Sequence, residues 1–196
     1  MFTGIIKKIS QIEKVEKKGV NVGVSIKKPD GFEFPLGSSV AINGVCSTVV
    51  ENKNSHFSVL YMPETLKKTT VSFWKEKDVV NLEQSLSANE LLDGHIVTGH
   101  VDTKGEISSR QDGKKGCILK ILFPPEFSKF IAPKGSVAVD GVSLTVVDST
   151  KETFTVALVP YTLLHTNLGK KREKDKVNIE TDILAKYLAR LIGISQ

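Results

Sequence analysis

The chain has 196 residues, 40% of them hydrophobic, which is enough for one large or two small cores and too apolar for disorder. Its longest apolar runs are strand-length, well below the roughly 18 residues of a bilayer span, and its opening Met1-Phe2-Thr3-Gly4-Ile5-Ile6 lacks the basic and long apolar stretches of a secretory signal, so a soluble cytoplasmic protein is expected. The net charge of +5 comes from dispersed basic residues interleaved with acids, with no basic helix and no aromatic RNA-binding signature, which sets nucleic acid aside.

In chain order, short Val/Ile/Phe/Thr-rich runs punctuated by Gly, Asn, Asp, Ser and Pro predict strands over 2–9, 20–26, 39–42, 46–51, 57–62 and 79–82. A second set is expected over 99–107, 117–123, 136–139, 143–147, 154–159 and 177–179. Asn43-Gly44 and Asp140-Gly141 stand between consecutive runs, and both residue types tolerate the positive φ of a tight hairpin turn. The dense charge run from Lys170 to Lys176 reads as a solvated turn between elements. Only the end of the chain has clear helical spacing. Ile183, Tyr187 and Leu191 form one stripe, Leu184, Leu188 and Ile192 an adjacent one, and Lys186 and Arg190 face away. Thr181 and Asp182 suit the start of this helix and Gly193 its end. At about eleven residues it is too short to be stable alone and must pack on something, its own barrel included.

The two strand sets are copies of one another. From Val40 to Glu83 the chain matches its own residues 137–180 at a constant offset of 97, and seven of eleven positions from Val40 to Val50 are identical to their counterparts. Thr3-Gly4 matches Thr98-Gly99 at an offset of 95, so two residues were gained inside one copy. Six short antiparallel strands per copy fit a small closed barrel, which has no exposed edge. The predicted architecture is all-β: two tandem six-stranded antiparallel Greek-key barrels, over residues 1–95 and 96–180, with a helical segment over 181–196.

Beyond each turn, alternation places Cys46 with Thr48, and Ser143 with Thr145, on one face of a strand. Cross-strand packing accounts for such polar pairs about as readily as a ligand site does. His95 and His100 lie five apart in an apparently extended stretch, so they point oppositely and cannot chelate one metal, while His56 and His165 look peripheral. The second copy also carries charge that the first lacks: His100 against Ile5, Lys134 against Gly37 and Asp140 against Asn43. Surface drift explains such changes more often than chemistry does. Cys46 and Cys117 are expected as free thiols.

Met1 to Ile5, Asn43 to Val49, Gly94-His95, Thr98 to His100, Asp140 to Val146 and Leu168 to Lys171 together, in this order and spacing, resemble the riboflavin synthase family over nearly the whole chain. The resemblance implies that two molecules of 6,7-dimethyl-8-ribityllumazine exchange a four-carbon unit to give riboflavin and 5-amino-6-ribitylaminouracil, with no cofactor and no metal. It implies two lumazines per site, a homotrimer held by the C-terminal helices, a catalytic site between the first barrel of one subunit and the second of its neighbour, and room for association with lumazine synthase. Neither membrane nor nucleic acid enters.

Carried over, the first pocket takes Gly4, Ile5 and Ile6, with Cys46, Ser47 and Thr48, and then Leu60, Tyr61, Met62, Pro63, Glu64 and Thr65. The second takes Gly99, His100, Val101 and Lys134, with Ser143, Leu144 and Thr145, and then Ala157, Leu158, Val159, Pro160, Tyr161 and Thr162. Candidates for the chemistry are His100, Asp140, Ser143, Cys46 and Phe2. The chain departs from the family pattern at Val45, where a cysteine is common, at Ser47, where an apolar residue is expected, and at Tyr161, where a glutamate is common. The alternative is a non-catalytic lumazine- or flavin-binding protein, a fluorescent antenna or a store; such relatives typically lose polar residues from one pocket, and both pockets keep them here.

Overall fold

The structure, a computed structural model, describes residues 1–193; the last three positions of the expected C-terminal segment lie outside the described residues. β1 (Lys8–Lys18), β2 (Asn21–Lys27), β3 (Ser39–Ile42), β4 (Val45–Asn52), β5 (His56–Tyr61) and β6 (Val79–Gln84) close into a barrel in the order β1-β2-β5-β4-β3-β6. β7 (Thr103–Gly113), β8 (Gly116–Leu122), β9 (Ser136–Val139), β10 (Val142–Ser149), β11 (Thr153–Leu158) and β12 (Lys176–Thr181) close into a second one with the same connectivity. Within each barrel three hairpin-linked strands are followed by one that returns beside the first of them, which is the Greek-key arrangement.

The opening strands begin later than their apolar residues indicate. The expected strands over 2–9 and 99–107 are in fact β1 and β7, starting at Lys8 and Thr103 and running into charged sequence. Gly4 and Gly99 adopt φ of +76° and +78°, which breaks the extended chain, and Phe2 makes only a single bridge, to Val97. Two short helices also escaped the periodicity: α1 (Pro63–Lys68) and α2 (Pro160–His165), each with proline in its first turn, where no amide donor is needed. The two residues gained by the second copy fall between β8 and β9, where Pro125–Phe130 forms a 3-10 turn.

Alternation sorts the strands as a half-buried barrel requires. On β4, Val45, Ser47 and Val49 point in, and Cys46, Thr48 and Val50 point out; on β10, Val142, Leu144 and Val146 point in, and Ser143, Thr145 and Val147 point out. Each barrel has its own core, with Phe34 stacked on Phe57 at 4.1 Å in the first and Phe123 against Phe154 at 5.5 Å in the second. A third, small cluster of Phe2, Ala41, Val97 and Ala138 joins them.

The barrels meet across their equivalent turns. A Cβ on Gly44 would lie 2.6 Å from the Gly141 amide nitrogen, and one on Gly141 would lie 2.6 Å from that of Gly44, so both turns require glycine for close approach as well as for φ. Around this contact runs a buried amide network. Asn81 N donates to Asn43 Oδ1 at 2.7 Å, Asn178 N to Asp140 Oδ1 at 2.8 Å, and Asn167 Nδ2 to Asp140 Oδ2 at 2.8 Å. Asn81 and Asn178 reach across to the main-chain oxygens of Asp140 and Asn43.

α3 (Ile183–Leu191) is capped by Asp182, whose side chain accepts from Leu184 N at 2.9 Å. Its barrel-facing side is the small one: Ala189 is buried, and Lys186 pairs with Asp102 at 2.7 Å. Lys186 thus turns toward its own barrel, while Leu184, Tyr187, Leu188, Leu191 and Ile192 are all more than half exposed. Among the described residues no helix is long and apolar enough to cross a membrane.

Candidate functional site

Each barrel carries an outward-facing polar pair just after its turn, and in each the pair is overlaid by the loop that precedes the other barrel's first strand. Cys46 N donates to Gly99 O at 2.8 Å, and Ser143 N donates to Gly4 O at 2.8 Å. Cβ atoms built on Gly99 and Gly4 would sit 2.6 Å from those of Cys46 and Ser143, so only glycine lets the loops lie this close. Val101 packs against the first core and Ile6 against the second. The grouping expected from sequence is therefore crossed. Gly4, Ile5 and Ile6 belong beside Ser143, Leu144 and Thr145, whereas Gly99, His100 and Val101 belong beside Cys46, Ser47 and Thr48. An offset between repeats identifies equivalent residues but does not reveal which barrel a loop covers.

Two buried glutamates, passed over in the sequence, hold these loops. Glu83 accepts from Thr3 N and Thr3 Oγ1, both at 2.7 Å, and from Gly4 N at 3.0 Å. Glu180 repeats this with Thr98 N and Oγ1, both at 2.7 Å, and Gly99 N at 2.9 Å. Three donors directed at one carboxylate offset much of the cost of burying it. Desolvation nonetheless raises the Glu83 pKa, with the hydrogen bonds from Thr3 and Gly4 and the charge of Lys7 opposing. Their signal in the sequence was the paired occurrence of Thr-Gly and a strand-borne Glu in both copies.

At the second pair, Ser143 Oγ lies 2.7 Å from His95 Nδ1. His95 Nε2 is buried without a partner among the described residues. The tautomer that leaves Nε2 as a bare acceptor is the less costly orphan, and it makes Nδ1 the donor to Ser143 Oγ, freeing the serine proton for a ligand. Burial depresses the His95 pKa below its ordinary 6.5, the charge of Asp182 opposing, so the ring is neutral at pH 7. His95 was passed over because its spacing from His100 spoke only to metal chelation. His100 itself is exposed and lines a cavity of about 770 Å³ together with Phe127, Phe130, Ile183 and Lys186.

The remaining candidates divide. Thr48, Leu60, Met62, Pro63 and Glu64 are exposed beside Cys46, with Thr65 half-buried on α1; Thr145, Ala157, Val159, Pro160 and Tyr161 are exposed beside Ser143, with Thr162 half-buried on α2. Ser47, Tyr61, Leu144 and Leu158 point into the cores. Ser47 tolerates burial because its Oγ lies 2.8 Å from the Tyr61 hydroxyl and donates to Val45 O. Tyr161 stacks on His165 at 4.0 Å. Lys134, at φ +67°, takes the position that Gly37 fills at +81° in the first barrel, so its main chain is set by the turn and its side chain is exposed. Two chemical candidates are displaced from the surface. Asp140 is 0% exposed in the network between barrels, with Lys171 Nζ at 3.5 Å, and Phe2 is 0% exposed in the joining cluster. Asp140's charge is absorbed by structural donors, and the Phe2 side chain has no polar atom to contribute.

A family model described as Lumazine binding domain matches this chain twice, at residues 3–85 and 98–182. The riboflavin synthase of Actinobacillus pleuropneumoniae is 39% identical over 193 residues, covering 98% of this chain and 90% of that protein. That of Brucella abortus is 42% identical over 199 residues, covering 97% and 98% respectively. Among solved structures, LumP complexed with riboflavin superposes with a TM-score of 0.85 at 22% identity, over 92% of this chain and 99% of that one, a likeness of fold.

Proposed function

The chain belongs to the riboflavin synthase family, built from two lumazine-binding domains, and from that premise we propose how its two half-sites divide one reaction. Its activity is riboflavin synthesis: one 6,7-dimethyl-8-ribityllumazine passes four carbons to a second, giving riboflavin and 5-amino-6-ribitylaminouracil. Two identical substrates call for two matching seats, and the observation that carries this reading is that both outward polar pairs, Cys46 with Thr48 and Ser143 with Thr145, are intact and each is roofed by a glycine loop. Main-chain groups of those loops read the ring edge, while the hydroxyls of Thr48, Thr65, Thr145 and Thr162 take polar contacts. The donor loses a proton from its acidified methyl group, and the acceptor receives a nucleophile at the ring carbon bearing its own methyl. Ser143, oriented by His95, donates to or positions water at the acceptor, and His100, exposed beside Cys46, assists proton movement at the other seat.

In this scheme the reacting rings, held on different barrels, meet where the first barrel of one subunit faces the second barrel of its neighbour. The uncovered apolar stripe of α3 supports a homotrimer assembled through that helix. Residues 1–95 and 96–180 are the two substrate-holding units in this scheme, and the remainder serves assembly in the cytoplasm, with lumazine synthase as the source of substrate and a candidate for association. Mixing the protein with the lumazine and following riboflavin absorbance tests the activity. Accumulation of a stable, fluorescent, unconverted complex would instead favour the antenna reading.

A further inference from the structure

A cavity of about 470 Å³ opens between the barrels beside the Gly44–Gly141 contact and shares no residue with either half-site. Its volume is in the range of small-molecule sites, roughly 300–1,000 Å³. Its lining is strongly biased in charge: five lysines against Asp78 and Asp175. Both aspartates already serve their own turns, accepting from Lys75 N and Arg172 N. Of the lysines, Lys171 reaches Asp140 and Lys176 reaches Glu106. The ammonium groups of Lys77, Lys170 and Lys174 have no ion pair and no hydrogen bond among the described residues.

The second observation lies in the floor. Asn43 is 4% exposed and lines the cavity. Its Oδ1 is fixed as the acceptor by two donors, Asn81 N at 2.7 Å and Asn167 Nδ2 at 3.1 Å, so the amide cannot be flipped. That leaves Asn43 Nδ2 as a donor with no protein partner among the described residues, on a side chain that lines the cavity. Asp140, at the equivalent point of the second barrel, has both carboxylate oxygens matched. The wall beside Asn43 is aromatic, formed by Phe73, more than half exposed, and by Trp74, whose Nε1 donates to Thr70 Oγ1 at 3.1 Å.

We propose that this cavity is an anion site for a phosphorylated small molecule, with Asn43 Nδ2 and the ammonium groups of Lys77, Lys170 and Lys174 donating to the phosphate and Phe73 flanking an attached ring. Five lysines and the Asn43 amide against two aspartates favour an oxyanion, and the aromatic wall gives a planar substituent a surface to lie on. The charge run from Lys170 to Lys176, read from sequence as a solvated turn, thereby acquires a ligand.

Trp74 is the only tryptophan in the chain, so its emission reports this cavity without interference. Titrating the full-length protein with adenosine monophosphate, and separately with inorganic phosphate, is expected to give saturable changes in Trp74 fluorescence with Kd at or below about 1 mM, weakening as salt is raised. The side-chain amide signal of Asn43 should shift in parallel. Tighter binding of the nucleotide assigns the aromatic wall a part in recognition, and equal binding assigns the site to the phosphate group alone; either supports the site. In the triple variant K77Q/K170Q/K174Q, which alters exposed side chains only, affinity should fall at least tenfold while the far-ultraviolet dichroism is retained. A flat titration, or one that the triple variant leaves unchanged, overturns the proposal.

Discussion

The two barrels share their connectivity and turn geometry, yet their half-sites differ in what stands behind the first polar residue. Behind Ser143 lies a half-buried, neutral imidazole at 2.7 Å, whereas Cys46 has no side-chain hydrogen bond among the described residues. Duplication supplied two equal seats, and the segment between the barrels set a half-buried, hydrogen-bonded histidine behind only one of them, His100 standing exposed at the other. On the proposed reading the seats hold the same molecule and treat it differently, as a reaction between two identical substrates requires.

The most severe test of the comparison separates the seats. Ending the chain after Thr181 keeps β12 whole and removes α3. Sedimentation should then find monomers that still bind riboflavin, with turnover reduced by roughly 10²-fold or more as the preassembled encounter is lost. A dilute monomer with undiminished turnover would place both seats of one reaction within a single subunit. Next in size is the serine. Ser143→Ala is expected to lower kcat by roughly 10²-fold, and Cys46→Ala by about tenfold or less, since no imidazole stands behind the thiol. Equal losses in the two variants would erase the proposed division of labour.

The imidazole gives a pH signature of several-fold size. Because burial lowers the folded-state pKa of His95, the unfolded chain takes up its proton first as the pH falls below 6.5. Its stability contribution is therefore complete above 6.5 and is lost as the pH falls through the depressed folded value. The kcat profile of the wild type should show the same acid limb, and His95→Gln, which retains a hydrogen-bonding side chain, should remove that limb. An unaltered limb in the variant assigns it to another group. The smallest effect concerns the turns between barrels. Asp140→Asn makes them alike but sets an amide donor against Asn167 Nδ2 or Lys171, so a loss of about 1–2 kcal/mol in urea unfolding is expected, with kcat retained. A collapse of kcat without loss of stability would return Asp140 to the chemistry.

The repeat made the fold legible: twelve strands among the described residues, two closed barrels and the shared face of Cys46 with Thr48 and of Ser143 with Thr145 follow from apolar alternation and two glycine turns, while the outward direction of that face is seen only in the structure. Where an element's signal is nonlocal, the sequence misled. β1 and β7 run on through polar, charged segments because β2 and β8 supply hydrogen-bonding partners there, which outweighs weak local propensity. Asp140 enters the candidates for the chemistry through the family resemblance, its charge alone pointing rather to surface drift, yet its partners Asn167, Asn178 and Lys171 lie in other elements and become visible only in three dimensions. The same is true of the Glu83 and Glu180 anchors, whose partners stand some eighty residues away.

The crossing of the glycine loops bears on how such a chain can be divided. A single repeat on its own would possess a polar pair and a roofing loop that cannot reach each other, so its seat could close only by lending the loop to a second copy, as in a reciprocally exchanged dimer. Joining the copies in one polypeptide turns that dimerisation into an intramolecular event, governed by an effective concentration in the millimolar range for a short connection and independent of how dilute the protein is. It also frees the partners from sequence identity, since each glycine loop now roofs only the seat of the barrel it is joined to. A half-buried histidine can then hydrogen-bond the polar residue of one seat and not of the other, which no exchanged dimer of identical repeats could maintain.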